Sequence, residues 1–133
     1  MSAPVDELAR LSFEVMGRLT RLSAEGDMSL TQLRMLAILR DRQPRMAELA
    51  AALGVDRSSV SGLIARAERR ELVTRIPAAG DGRGFTVALT EAGQDFAAAL
   101  ERRTSAALDP LLADLDPSER QALSELLAKV VYR

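Results

Sequence analysis

The stretch that decides the fold runs from Met46 to Thr90: MAELAAALGVDRSSVSGLIARAERRELVTRIPAAGDGRGFTVALT. Its first part, 46–53, is apolar at Met46, Leu49, Ala50 and Leu53, the spacing of one helix face. Leu53-Gly54-Val55-Asp56 then forms a joint. Gly54 tolerates positive φ after a helix, Val55 is expected as a buried plug, and the Asp56 carboxylate can cap the next helix. In that helix, 57–70, Val60, Leu63, Ile64 and Ala67 fall at i, i+3, i+4 and i+7, which turns Arg57, Ser58, Ser61, Gly62, Ala65, Arg66 and Arg69 outward. Two helices about so short a glycine corner predict a helix-turn-helix.

After Leu72 the period changes from 3.6 to 2. Val73–Ile76 and Phe85–Leu89 read as short strands on either side of PAAGDGRG, 77–84. Two strands with a glycine-rich tip predict a wing. A phosphate cradle would need a strand followed directly by a helix at a P-loop or dinucleotide spacing, and neither is present.

Upstream, residues 5–24 carry Leu8, Leu11, Val15, Leu19 and Leu22 on one stripe. Gly26 and Asp27 break it, and Ser29 with Gln32 predicts a capping box that opens a second helix to about Arg40, its buried side being Leu33, Leu36, Ala37 and Leu39. Pro44 separates this helix from the next. Downstream, Thr90 is expected to cap a helix holding Phe96, Leu100, Ala107 and Leu108, Pro110 to kink or end it, and Asp116-Pro117-Ser118-Glu119 to start a last helix with Leu123, Leu126, Leu127, Val130 and Val131 on its apolar side. Phe13 and Phe96 read as filler of the helical core rather than as the lining of a ligand crevice.

Composition narrows the function. The chain has 133 residues, 47% hydrophobic and 28% charged, the profile of one globular domain. No apolar run reaches the ~18 residues of a membrane span, and MSAPVDELARL lacks the regions of a signal peptide, so a cytoplasmic location is expected. There is no cysteine and no histidine, Lys129 is the sole lysine, and neither paired carboxylates nor a nucleophile elbow appear. The expectation is therefore no enzyme, no catalytic residues, no metal and no cofactor.

A net charge of −1 speaks at first against a nucleic-acid partner. Its distribution speaks for one: residues 57–83 hold six basic and three acidic groups (+3), against −1 for 1–56 and −3 for 84–133. All six bases are arginines, 57, 66, 69, 70, 75 and 83, whose planar forks suit phosphates and base edges. Small Ser and Gly side chains between them would let the helix backbone approach a major groove, and Arg83 at the wing suits a minor groove. A merely solvated face is the alternative, although Ser and Gly weaken a helix with no other use for them.

From Leu30 to Gly93 the chain resembles the MarR family of bacterial winged-helix regulators, through LTQLRMLAILRD, MAELAAALGVDRSSVSGLIARAERRELV and GDGRGFTVALTEAG. The resemblance implies a mainly α fold with a small β wing, a single domain over 1–133. In it a winged helix-turn-helix lobe spans 29–90, and N- and C-terminal dimerisation helices span 5–24 and 91–133. It implies a recognition helix at 57–70 with Ser58, Ser59, Ser61 and Gly62 toward the groove, a wing arginine at Arg83, and Asp81 orienting the wing by pairing with Arg66. The partners implied are a pseudo-palindromic double-stranded operator, a second copy of the chain, and a small-molecule effector that relieves repression. Three positions depart from the family pattern: Gly62 where a longer polar side chain is frequent, Ala67 in place of leucine, and Glu71 in place of a helix-ending glycine. A dimeric winged-helix module that binds another protein, without specific DNA binding, is the alternative reading of the acidic balance.

Overall fold

The computed structural model describes residues 2–77 and 84–133. Helices α1 (Ala3–Glu25), α2 (Leu30–Asp41), α3 (Met46–Leu53) and α4 (Arg57–Arg69) precede strands β1 (Val73–Pro77) and β2 (Phe85–Leu89). Helix α5 (Glu91–Leu108) runs into a single 3₁₀ turn, Asp109–Leu112, and α6 (Pro117–Val131) closes the chain. The strands pair antiparallel in the register Val73↔Leu89 to Pro77↔Phe85. This is the mainly helical winged helix-turn-helix that the sequence predicts.

Side-chain caps set the helix starts. Ser29, Asp56, Thr90 and Asp116 accept from the backbone N–H three residues on, at 3.1, 2.8, 2.9 and 2.8 Å. At α6 the box is complete, since the Asp116 N–H donates to the Glu119 carboxylate at 3.0 Å. At α2 it is half made. Gln32 is buried, and its amide donates to the Leu63 carbonyl at 3.5 Å instead of reaching back to Ser29.

Three helices end in the same motif. Asp27 N–H donates to Ala24 O and Met28 N–H to Ser23 O after α1; Gly54 to Ala51 and Val55 to Ala50 after α3; Glu71 to Glu68 and Leu72 to Ala67 after α4. Each pair is the double bond of a Schellman end, with its middle residue left-handed. The φ values are 54° at Asp27, 70° at Gly54 and 61° at Glu71. Only the second position is glycine, and after α1 it is Asp27 rather than Gly26 that takes positive φ.

The core gathers α2, α3, α4, both strands and the first half of α5 around Met35, Leu49, Val60, Ile64 and Val87, all essentially inaccessible. The four predicted α4 positions, Val60, Leu63, Ile64 and Ala67, are all buried. Helix α2 differs from expectation: Met35 is fully buried and Ala37 is exposed, because the core contacts α2 from both sides of the Leu36 line. Val55 is half-buried rather than a sealed plug. Phe13 is 73% exposed and fills no core, whereas Phe96 packs against it. Leu22 is the one buried hydrophobic residue of α1, and α6 buries none of its side chains.

Candidate nucleic-acid interface

The corner Leu53–Asp56 fixes how α4 is presented. Gly54 in the left-handed region reverses the chain, and Asp56 then anchors the first turn of α4. Its Oδ1 accepts the Ser59 N–H at 2.8 Å and the Ser58 hydroxyl at 2.7 Å. Those bonds, the Ser59 N–H foremost and the Ser58 hydroxyl next, hold the Asp56 carboxyl below the ordinary carboxylate range. The Ser58 hydroxyl has therefore spent its proton on the cap and offers an incoming group only its lone pairs.

With Val60, Leu63, Ile64 and Ala67 inward, helical periodicity places Ser58, Gly62, Ala65 and Arg69 along the middle of the opposite face. Arg57 and Ser61 border it on one side, Ser59 and Arg66 on the other. Gly62 leaves a notch, and Arg66 leans into it: Nη2 lies 3.7 Å from where a Cβ on Gly62 would stand. The guanidinium of the next turn thus stands in contact distance of the space that a longer side chain would use.

The five described arginines of this segment, 57, 66, 69, 70 and 75, do not form one patch. Arg75 of β1 grips Glu68 of α4 through Nε at 3.3 and 3.2 Å and Nη2 at 3.1 Å, and stacks over Phe85 with its Cζ 4.7 Å from the ring centre. It ties the wing to α4. Arg70 donates to the Gly26 carbonyl at 3.3 Å and lies over Phe96 at 5.2 Å. Both side chains serve the fold. Arg57, Arg66 and Arg69 are exposed and make no ion pair with another described residue. Asp81 and Arg83 lie outside the described residues.

One part of this surface was not singled out in the sequence. Residues 43–45 lie alongside β2: Arg45 and Thr86 form an antiparallel bridge, the Val87 N–H donates to Pro44 O at 2.9 Å, and the Gln43 amide donates to the Thr86 hydroxyl at 3.0 Å. Arg45 Nη1 comes 3.6 Å from where a Cβ on Gly84 would sit, so a further guanidinium stands at the base of the wing. The available signal was the buried Pro44, whose carbonyl had to find a donor.

Away from this face, α1, α2 and α5 enclose a crevice of about 330 Å³ with Leu19, Leu33, Leu36 and Leu100 in its wall. Arg40 at its rim pairs with Asp41, Nε to Oδ1 at 3.2 Å, and with Glu101; these bonds, Asp41 first, push its pKa further above the usual value.

Comparison with known proteins agrees with this geometry. The MarR family profile matches residues 26–84. The HTH-type transcriptional repressor NicR of Pseudomonas putida is 31% identical, with 98% of this chain and 90% of that protein aligned. The apo MarR structure from E. coli superposes with a TM-score of 0.81 at 22% identity, covering 98% and 97% of the two chains. CouR from Rhodococcus jostii RHA1, solved bound to p-coumaroyl-CoA, superposes at 0.77 with 21% identity, covering 97% and 92%. Sequence profile, relative and fold converge: the chain belongs to the MarR family and is a transcriptional regulator.

Proposed function

We propose that the protein is a homodimeric, sequence-specific repressor that binds a pseudo-palindromic double-stranded operator and leaves it when a small molecule binds. The observation that carries this reading is the outer face of α4. Small residues Ser58, Gly62 and Ala65 run along its middle, and Arg57, Arg66 and Arg69 stand around them without a carboxylate partner among the described residues. A helix of that profile can enter a major groove with its backbone close to base edges while the guanidinium groups reach phosphates. Residues 29–90 are then the DNA-binding lobe, with Ser58, Ser59, Ser61 and Gly62 nearest the groove and Arg83 as the minor-groove anchor. Asp81 orients the wing by pairing with Arg66.

Dimerisation through 5–24 and 91–133 is supported by what those helices leave uncovered. Leu8, Leu11, Phe13 and Met16 of α1 and Leu126, Leu127, Val130 and Val131 of α6 are each at least 40% exposed. Between α1, the end of α5 and α6 lies an apolar groove of about 400 Å³ lined by Leu11, Leu112, Leu123 and Leu127. A second copy would cover this surface and set two α4 helices about one duplex turn, ~34 Å, apart. Repression follows the name of NicR. Release by a small molecule is supported by the α1–α2–α5 crevice and by the acyl-CoA held by CouR.

The deciding experiment is selection of binding sites from random duplexes at low salt, followed by binding measured across a salt series. The expected result is an enriched inverted repeat whose binding weakens steeply with salt. If no site is enriched while the protein elutes as a dimer, the DNA reading fails and the protein-interaction alternative takes its place.

A further inference from the structure

A second cleft opens on a different face of the α1–α5 pair and shares no residue with the crevice described above. It measures about 390 Å³. Arg18, Arg21 and Glu25 line it from one face of α1, Arg103, Ala106 and Ala107 from α5, and Leu22 forms its floor.

Its arginines are incompletely satisfied. Arg18 donates through Nη1 to the Ala107 carbonyl at 3.1 Å and through Nη2 to Glu14 at 3.4 Å, but its Nε is buried and has no partner. A buried donor left unpaired is costly, the more so in a charged group. Arg103 pairs with Glu25 at 2.6 Å. Arg21 is exposed and forms no ion pair with a described residue, and its Nη1 lies back over Gly17. Two carboxylates, Glu14 and Glu25, thus serve three guanidinium groups, Arg18 and Arg21 on α1 and Arg103 on α5, that line one cleft.

We infer that this cleft binds a phosphoryl group, as inorganic phosphate or as the monoester of a small molecule. A tetrahedral oxyanion presents oxygens toward separate donors on two helices, whereas a carboxylate has only two, in one plane. Ala106 and Ala107 leave room for the group, and no aromatic ring lines the cleft to hold a flat organic acid. The inference is independent of operator binding, because no residue of α4 or of the strands lines the cleft.

Calorimetric titration of the full chain at constant ionic strength, without DNA, tests it. The probes are inorganic phosphate, methyl phosphate and benzoate. Saturable binding of phosphate or methyl phosphate is expected, with Kd raised roughly tenfold or more in Arg21→Gln and in Arg103→Gln, and largely recovered in Arg21→Lys. Arg21 is exposed in the single chain, so its variants are expected to melt as the parent does, and gel filtration checks that the dimer proposed through 5–24 persists in them. Binding of phosphate alone identifies the free ion as the ligand, and binding of methyl phosphate as well extends the site to monoesters. Absence of saturable binding by both overturns the inference, as does equal affinity in folded Arg21→Gln. Tighter, Arg21-dependent binding of benzoate overturns the phosphoryl assignment.

Discussion

Replacing Gly93 by alanine puts one methyl group where the fold has no room for it. A Cβ built on Gly93 falls 1.9 Å from the Leu72 carbonyl oxygen and 2.9 Å from its carbon. A carbon–oxygen contact needs about 3.3 Å, so α5 or Leu72 must move by about 1.4 Å. Neither is free to do so. The Leu72 N–H donates to Ala67 O at 3.0 Å, and the Leu72 carbonyl accepts the Thr90 N–H at 3.0 Å. The Thr90 hydroxyl donates to the Glu71 carbonyl at 2.7 Å and accepts the Gly93 N–H at 2.9 Å. A shift of that size carries the Thr90 N–H beyond hydrogen-bonding range of Leu72. Overpacking costs about 1–3 kcal/mol and the lost bond about 1, against up to about 1 regained from alanine over glycine in a helix. The net expectation is a loss of about 1–3 kcal/mol, read from urea midpoints at fixed protein concentration with the slope unchanged. Gly17→Ala is the matched control. Its nearest non-neighbouring atom is 4.0 Å away, so there the helix preference acts alone and the stability rises by up to about 1 kcal/mol. A loss below about 0.5 kcal/mol for Gly93→Ala would refute the reasoning, since it would mean that the α4–α5 joint can relax.

Three further outcomes are expected. Glu71 holds φ 61°, so Glu71→Gly is expected to stabilise by about 1 kcal/mol in the same denaturation assay, and Glu71→Val to destabilise. The Asp56 carboxyl is held below its ordinary pKa in the folded state, so its contribution is full at neutral pH and is lost as pH falls through the folded-state value. Thermal melts of the parent and Asp56→Ala are therefore expected to differ by a constant amount down to about pH 5 and to converge below about pH 4. In operator binding, Arg69→Gln is expected to flatten the slope of log affinity against log salt by about one unit per protomer, whereas Arg70→Gln, whose guanidinium is held at Gly26 and Phe96, leaves that slope unchanged. Equal slopes for the two variants would remove Arg69 from the interface.

Helix positions were legible because their signals are local. Asp56, Thr90 and Asp116 each cap the helix that their side chains announce, and the inward side of α4 follows from its period alone. Tertiary choices were less legible. Gln32 had a local partner in Ser29 and a distant one in the Leu63 carbonyl, and burial selected the distant one. Arg70 and Arg75 count toward a basic segment, yet Phe96 and Glu68, 26 and 7 residues away in sequence, already engage their guanidinium groups, although both side chains stay exposed. The exposure of Phe13 has the same origin, since an apolar residue on a helix says that something is to cover it and leaves open which chain provides the cover.

The departure at Glu71 has a larger consequence than its own strain. A glycine there would release that strain, but the bonds that define the joint engage the backbone of residue 71 and not its side chain, and would stay. They run without a gap from the end of α4 to the start of α5: Leu72 N–H to Ala67, Thr90 hydroxyl to the Glu71 carbonyl, Thr90 N–H to the Leu72 carbonyl, and Gly93 packed on that same carbonyl. Arg75 and Glu68 add the wing to the same block. Helix α4, the base of the wing and the first turns of α5 are thus locked together. Under the proposed release mechanism, a molecule wedged between α1, α2 and α5 acts on a wall that belongs in part to this block. The low-cost response is then a rotation of each lobe as a unit, which changes the distance between the two α4 helices and leaves the reading face of each unaltered.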